Sequence, residues 1–194
     1  MILSSQEALQ RLLDGNKRYI AQKPIHPNQT VYRRKEITEG QKPFAIILSC
    51  SDSRVPPEII FDQGLGDIFV IRVAGNVLDK TVLASAEYAV EHLDVPLLMV
   101  LGHSRCGAVS AAVSGHAHTR HIGNLVKIIA PAVKKAQKMD GDLTENAIKV
   151  NIEMVLAKLK EKSPIIALLA ESVKLKIIGA FYDLESGKID ILKP

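Results

Sequence analysis

The sequence is poor in the residues that define several protein classes. Its 194 residues include no tryptophan and only two cysteines, and 4% are aromatic. A secreted scaffold held together by disulfides uses far more cysteine, so that class is excluded. No apolar run approaches the roughly 18 residues that a membrane-spanning helix needs. The first residues lack the basic and apolar segments of a secretory signal, so we expect a cytoplasmic protein.

Charge is also unremarkable, because the formal net charge of +4 comes from mixed signs spread along the chain. The most basic stretch, Tyr32–Lys35, is short and has no interleaved aromatics. We therefore expect no nucleic acid partner. With 47% hydrophobic residues, a chain of this length is expected to fold as one domain over residues 1–194.

The N-terminal segment combines a helix with a polar extension. Ser4 and Glu7 have the spacing of a capping box, and apolar residues recur at helical spacing up to Ala21. Residues 22–38 are polar and contain two prolines, so we expect an extended arm that is poorly held by its own subunit. Residues 1–38 are thus interpreted as an N-terminal helix and a dimerisation arm.

Short apolar runs alternate with helical patterns through the rest of the chain. The predicted strands are Pro43–Ser49, Asp67–Val73, Pro96–Leu101, Leu175–Tyr182 and Ile189–Leu192. The predicted helices are Asp79–Leu93, Cys106–Ser114, Ile122–Met139, Thr144–Lys162 and Ile165–Ser172. This alternation predicts an α/β fold with a mostly parallel central sheet of four to five strands flanked by helices, whose closing strand can pair antiparallel at an edge.

The two cysteines follow the ends of two of these strands. Cys50 and Asp52 come directly after the first strand, and His103 and Cys106 come just after the third. Residues beyond the carboxyl ends of strands in an open α/β sheet converge on one crevice. Two thiolates, an imidazole and a carboxylate form a ligand set that zinc favours. We therefore expect one Zn²⁺ per chain at this crevice.

Two further residues fit a metal site that is catalytic rather than structural. Arg54 lies two residues beyond Asp52, where it can form a bidentate pair with the carboxylate. A carboxylate that leaves the metal for Arg54 provides the exchangeable position that a catalytic zinc needs. Gly107, at the start of a predicted helix, lets the backbone approach closely and leaves an amide free to face an anion.

Other cysteine chemistry fits less well. A phosphatase loop places arginine six residues after the cysteine, but Pro56 occupies that position after Cys50. The two cysteines are 56 residues apart, so they do not form the C-x-x-C pair of redox proteins. A Cys50–Cys106 disulfide and a closed zinc site in a non-catalytic interaction protein remain open at this point.

Together these motifs resemble those of the β-class carbonic anhydrases. The resemblance begins with Cys-x-Asp-x-Arg at residues 50–54 and His-x-x-Cys at residues 103–106, and it extends over residues 41–192. Further segments that resemble the family are Gly66–Asn76, Glu87–Val90 and Gly179–Asp183. The resemblance therefore covers nearly the whole chain.

The resemblance implies a zinc enzyme that converts CO₂ and water reversibly to bicarbonate and a proton with a zinc-bound hydroxide. It implies that Cys50, His103 and Cys106 are the constant ligands. It also implies that Asp52 either fills the fourth position or pairs with Arg54. The residues that the resemblance assigns to the CO₂ pocket are Gln41, Phe69, Ala74 and Tyr88.

The resemblance also implies a homodimer, in which the N-terminal helix wraps the neighbour and the pocket is shared across the interface. Two such dimers often associate into a tetramer. A hydrolase that acts on carbonyl sulfide or carbon disulfide at the same zinc site stays open as an alternative, since both molecules are linear analogues of CO₂. Some family members have an extra bicarbonate site that uses tryptophan, and the lack of tryptophan here argues against it.

Overall fold

The fold is built around one five-stranded sheet, as a computed structural model shows for residues 3–115 and 120–192. The strands are β1 (Ala45–Ser49), β2 (Ile68–Arg72), β3 (Leu97–His103), β4 (Lys176–Tyr182) and β5 (Ile189–Ile191). The helices are α1 (Ser5–Ile20), α2 (Val31–Glu36), α3 (Pro57–Ile60), α4 (Lys80–His92), α5 (Gly107–Ser114), α6 (Arg120–Ala136), α7 (Leu143–Lys162) and α8 (Pro164–Glu171).

The strand order in the sheet is β2-β1-β3-β4-β5. The first four strands pair in parallel, and β5 pairs antiparallel with β4 at the edge. The predicted mostly parallel α/β sheet is therefore confirmed. Because the chain passes from β1 to β2 on one side and then to β3 on the other, the topology switches between β1 and β3. Open α/β sheets bind ligands at such a point.

Both faces of the sheet are covered, which explains why β1 and β3 are apolar along most of their length. Every residue of these two strands is buried. Ile46 and Leu98 belong to a core shared with helices α4 to α8. Ile47 and Met99 belong to a second core shared with α1 and α3. Burial on both faces is typical of interior parallel strands and holds their ends rigidly.

The N-terminal helix packs on the sheet of its own chain. Its capping box is present, since Glu7 N–H donates to Ser4 Oγ and Ser4 N–H donates to the Glu7 carboxylate. Leu12 is fully buried in the second core. A Cβ at Gly15 would lie 1.7 Å from the carbonyl oxygen of Phe61, so only glycine permits this close packing. The implied wrapping of a neighbouring subunit by this helix stays a prediction.

The segment that follows α1 differs from the predicted extended arm. Residues 31–36 form the short helix α2, because the Thr30 side chain caps its N-terminus and Arg33 pairs with Glu36 one turn later. The prediction of an extended chain was wrong for this part. Helix α2 has no buried residue, and its Tyr32 side chain is 79% exposed.

The stretch before α2 is attached to the body of its own subunit. Buried Asp62 accepts hydrogen bonds from the backbone N–H groups of Ile25 and His26. Asn28 donates to Asp67 at 2.8 Å. The expectation that the subunit holds the arm poorly was therefore wrong for residues 25–28.

Some element boundaries also differ from the prediction. Strand β3 continues to His103, so this residue lies on the last position of the strand rather than in the loop beyond it. Helix α3 was not predicted. Within the described residues, no helix combines the length and the apolar character needed to cross a membrane.

Candidate metal centre

Cys50, His103 and Cys106 meet at the carboxyl ends of β1 and β3. Their three potential ligand atoms all lie within 4.8 Å of one another, and the two sulfur atoms are 4.0 Å apart. All three residues are buried, with exposures of 5%, 0% and 1% in sequence order. The convergence expected from the strand ends is thus present in the structure.

The His103 ring is oriented as a metal ligand would be. Its Nδ1 lies 2.9 Å from the carbonyl oxygen of Ser104, and a carbonyl can only accept, so Nδ1 carries the proton. The lone pair is then on Nε2. This buried atom has no hydrogen-bond partner among the described residues. Ligating histidines typically use the second nitrogen in this way, bonded to a carbonyl or a carboxylate.

The two thiols perturb each other because they are close and buried. A hydrogen bond with the Cys106 thiol, together with smaller contributions from His103 and the Gly75 N–H, lowers the pKa of Cys50 to about 4. The same contact with Cys50, together with burial, raises the pKa of Cys106. Ionisation of one sulfur therefore disfavours ionisation of the other, because two buried thiolates this close repel each other. A bound cation favours the thiolate form of both.

Asp52 lies beside this triad but is engaged by Arg54. The Arg54 Nε and Nη2 atoms donate to the two carboxylate oxygens at 2.9 and 2.7 Å. The Asp52 Oδ2 atom is 3.8 Å from His103 Nε2. The Arg54 guanidinium holds the pKa of Asp52 well below its usual range, so the carboxylate is ionised at neutral pH. Of the two expected states of Asp52, the structure shows the one paired with Arg54.

Two arginines donate hydrogen bonds to the backbone of the two segments that carry the triad. Arg72, at the end of β2, donates to the carbonyl oxygens of Cys50 and Asp52 at 3.0 and 2.5 Å. Arg54 also donates to the carbonyl of Arg105 at 3.3 Å. Arg72 is thereby held against the loop after β1, and Arg54 against the turn after β3. Arg54 is therefore a fixed partner for Asp52 when the carboxylate points away from the triad.

Two of the predicted pocket residues lie at the triad. Gly107 follows Cys106 at the start of α5, and a Cβ placed there would meet no atom within 4 Å. The side of Gly107 where a Cβ would stand therefore borders open space. Ala74 directly precedes Gly75, whose N–H donates to the Cys50 sulfur at 3.2 Å.

The other three lie elsewhere in the chain. Gln41 lines a cavity of about 610 Å³ together with Asp67 and Pro96, which precede β2 and β3 and so mark the amino end of the sheet. The ring centroids of Phe69 and Tyr88 are 6.2 Å apart, and Tyr88 is 46% exposed. A single chain thus does not bring Gln41 to Cys50, His103 and Cys106, which lie at the carboxyl end of the sheet.

Asn151 was missed by the sequence analysis. This residue of α7 is 4% exposed, and its side-chain amide donates to the carbonyl oxygen of Gly75 at 2.9 Å. Ile148, Ile152 and Val155 share the buried side of the helix. A polar residue on an apolar stripe at helical spacing is the sequence signal that marks it.

The chain is similar to known carbonic anhydrases in sequence. Residues 45–189 match a family model described as carbonic anhydrase. A carbonic anhydrase of Mycolicibacterium smegmatis is 39% identical over 188 residues, which cover 95% of this chain and 91% of that protein. Carbonic anhydrase 2 of Mycobacterium tuberculosis is 41% identical over 185 residues, covering 93% and 89%.

Solved structures are similar to this fold as well. A β-carbonic anhydrase of Aspergillus fumigatus superposes with a TM-score of 0.77 at 25% identity, covering 96% of this chain and 92% of that one. A structure from a study of two tetrameric β-carbonic anhydrases of Sordaria macrospora has a TM-score of 0.77 at 25% identity, covering 97% and 98%. The similarity thus spans the sheet, its helices and the N-terminal segment.

Proposed function

Since this chain belongs to the β-class carbonic anhydrase family, we propose that it catalyses the reversible hydration of CO₂ to bicarbonate and a proton. The observation that supports this proposal most strongly is the buried Cys50, His103 and Cys106 triad beside an Asp52 that Arg54 engages. We propose that the triad holds one Zn²⁺ per chain. Zinc bound there supplies a Lewis acid that lowers the pKa of a water molecule and makes it a nucleophile.

The residues present fit this ion. Two thiols and an imidazole nitrogen are ligands that zinc favours, and the buried Nε2 of His103 is an unpaired acceptor that a metal satisfies. Catalytic zinc sites use three protein ligands and keep the fourth position exchangeable. The pairing of Asp52 with Arg54 supports such a site, because a closed structural site would need Asp52 as a fourth ligand.

The surrounding residues have separate roles in this proposal. Asp52 acts as a hydrogen-bond acceptor beside the triad, and its low pKa keeps it in the accepting form. Arg54 fixes the direction of that carboxylate with two hydrogen bonds. Gly107 begins α5, and in this proposal its backbone amide stabilises an anion such as bicarbonate.

Assays of CO₂ hydration and of carbonyl sulfide and carbon disulfide hydrolysis on one zinc-loaded preparation, from pH 6 to 9, test the proposal. We expect CO₂ to be the best substrate and its hydration to rise with pH. Two thiolate ligands donate more negative charge than imidazoles, so the water molecule that zinc activates should have a higher pKa and remain protonated at lower pH. Asp52 contributes nothing to this rise, since its depressed pKa leaves it ionised throughout. A flat profile, or faster hydrolysis of either sulfur compound, would contradict the proposal.

We further propose that the protein is a homodimer, or a dimer of dimers, with a shared pocket. Gln41, Phe69 and Tyr88 then reach the metal centre of the second copy. Support comes from the position of Gln41 at the opposite end of the sheet from its own triad, and from the exposure of Tyr88. Residues 22–38, which include the unburied helix α2, are proposed as the dimerisation arm.

Mixing two inactive variants tests the shared pocket. Cys106→Ala damages the metal centre but leaves Gln41 intact, and Gln41→Ala does the reverse. If the pocket is shared, a mixed dimer contains one complete site, so reassociated mixtures should recover up to about one quarter of wild-type activity. Each variant alone should stay low. Light scattering should give at least a dimer, and a fully active monomer would overturn this part of the proposal.

A further inference from the structure

A pair of consecutive hydrogen bonds connects helix α7 to a metal ligand. The Asn151 side-chain amide donates to the Gly75 carbonyl oxygen at 2.9 Å. The Gly75 N–H in turn donates to Cys50 Sγ at 3.2 Å. All three residues are buried, and Asn151 is only 4% exposed. Burying a side-chain amide costs free energy unless the amide is hydrogen-bonded, so the bond from Asn151 to Gly75 offsets the cost of burying Asn151.

Gly75 is held in one conformation from several sides. Its φ is +68°, in the left-handed region that favours glycine. A Cβ at this position would lie 2.9 Å from Ile129 Cδ1 and 3.1 Å from Ala108 Cβ. Helices α5 and α6 therefore close the space beside Gly75. Asn151 supplies the directional contact from α7, which fixes the orientation of the peptide group that follows Gly75.

We propose that Asn151 is a positioning residue of the metal centre, which acts through Gly75 to keep an N–H···S hydrogen bond on the Cys50 sulfur. This inference rests on the proposed function, in that the triad must hold a metal. An N–H donor on a thiolate withdraws charge from the sulfur and fixes its direction. Outer partners of this kind typically change metal affinity by about 10- to 100-fold when they are removed.

A second asparagine provides a matched control. Asn16 of α1 is also 4% exposed, and it donates to the carbonyl oxygens of Ile60 and Gly187 at 3.0 and 2.9 Å. It lies among the residues of the second core, on the other face of the sheet from Asn151. Asn16→Leu therefore removes an equally buried amide without touching the path to Cys50. A purely structural role predicts similar behaviour for the two variants.

Cobalt-substituted protein gives a readout that is independent of activity. In Asn151→Leu, we expect the sulfur-to-cobalt charge-transfer band to move to longer wavelength, because the sulfur keeps more charge without its N–H donor. We also expect Co²⁺ affinity, measured by competition with a chelator, to fall about tenfold. Asn16→Leu should lower the melting temperature but leave the band and the affinity as in the wild type.

Asn151→Ser serves as a second variant in case Asn151→Leu does not fold, because it is smaller and its short side chain does not reach Gly75 O. A band shift in a folded position-151 variant that is absent from Asn16→Leu supports the proposal. An unshifted band with wild-type affinity, or an equal shift in both asparagine variants, overturns it. A wild-type protein that binds no Co²⁺ contradicts the proposed function itself, so the two failures are distinguishable.

Discussion

Replacing Arg54 with alanine should lower the turnover number for CO₂ hydration by about 100-fold, the loss typical of a misplaced catalytic group. Arg54 holds both carboxylate oxygens of Asp52, whose Oδ2 is only 3.8 Å from His103 Nε2. Without its partner, Asp52 is expected to turn to the metal and occupy the exchangeable position. Zinc content should therefore remain at one per chain while turnover falls, as metal analysis and stopped-flow hydration would show.

Arg105→Asn is the matched control for this variant. Arg105 lies in the neighbouring turn, and its exposed side chain pairs with exposed Glu185. Its φ is +55°, and asparagine tolerates this conformation better than most residues. The control should keep nearly wild-type turnover. Full activity in Arg54→Ala, or loss of zinc from it, would remove the idea that Asp52 switches between zinc and Arg54.

The second large effect is expected for Cys106→Ala, which should abolish stoichiometric zinc binding and reduce CO₂ hydration to the uncatalysed background. Cys106 supplies one of only three proposed constant ligands, and catalytic zinc sites need three. Because a bound metal stabilises the folded state, the melting temperature of the wild type should fall on treatment with a chelator. The melting temperature of the variant should not respond to the chelator.

Ser114→Ala is the control for Cys106→Ala, because Ser114 lies at the other end of helix α5. Ser114 is exposed at the end of α5, where its hydroxyl donates to Ala111 O. This control should keep its zinc, its activity and the response of its melting temperature to chelator. A Cys106→Ala protein that retained one zinc per chain would contradict the assignment of the triad.

The convergence of Cys50, His103 and Cys106 was predictable because, in a parallel sheet, residues at the same ends of adjacent strands lie close together in space. Cys50 directly follows Ser49, which pairs with Leu101 of β3, and His103 lies two residues further along that strand. Residues at the carboxyl ends of adjacent parallel strands must therefore be neighbours. The Asp52–Arg54 pair was predictable because its members are only two positions apart in the sequence.

The features that the sequence analysis missed have different physical causes. Asn151 reaches Gly75 across 76 residues, and no local pattern reveals which carbonyl a buried amide will find. Helix α2 was missed because its residues bury nothing, so it has no apolar periodicity. The separation of Gln41 from the triad follows from strand direction, because a residue before β1 lies at the opposite end of the sheet from one after it.

Zinc content and CO₂ hydration, measured on one preparation before chelation, after chelation and after zinc is restored, test the central claim most directly. We predict one zinc per chain, with hydration that disappears and returns in proportion to the zinc bound. A protein that holds one zinc per chain and does not hydrate CO₂, or that hydrates CO₂ equally well after its zinc is removed, would contradict it.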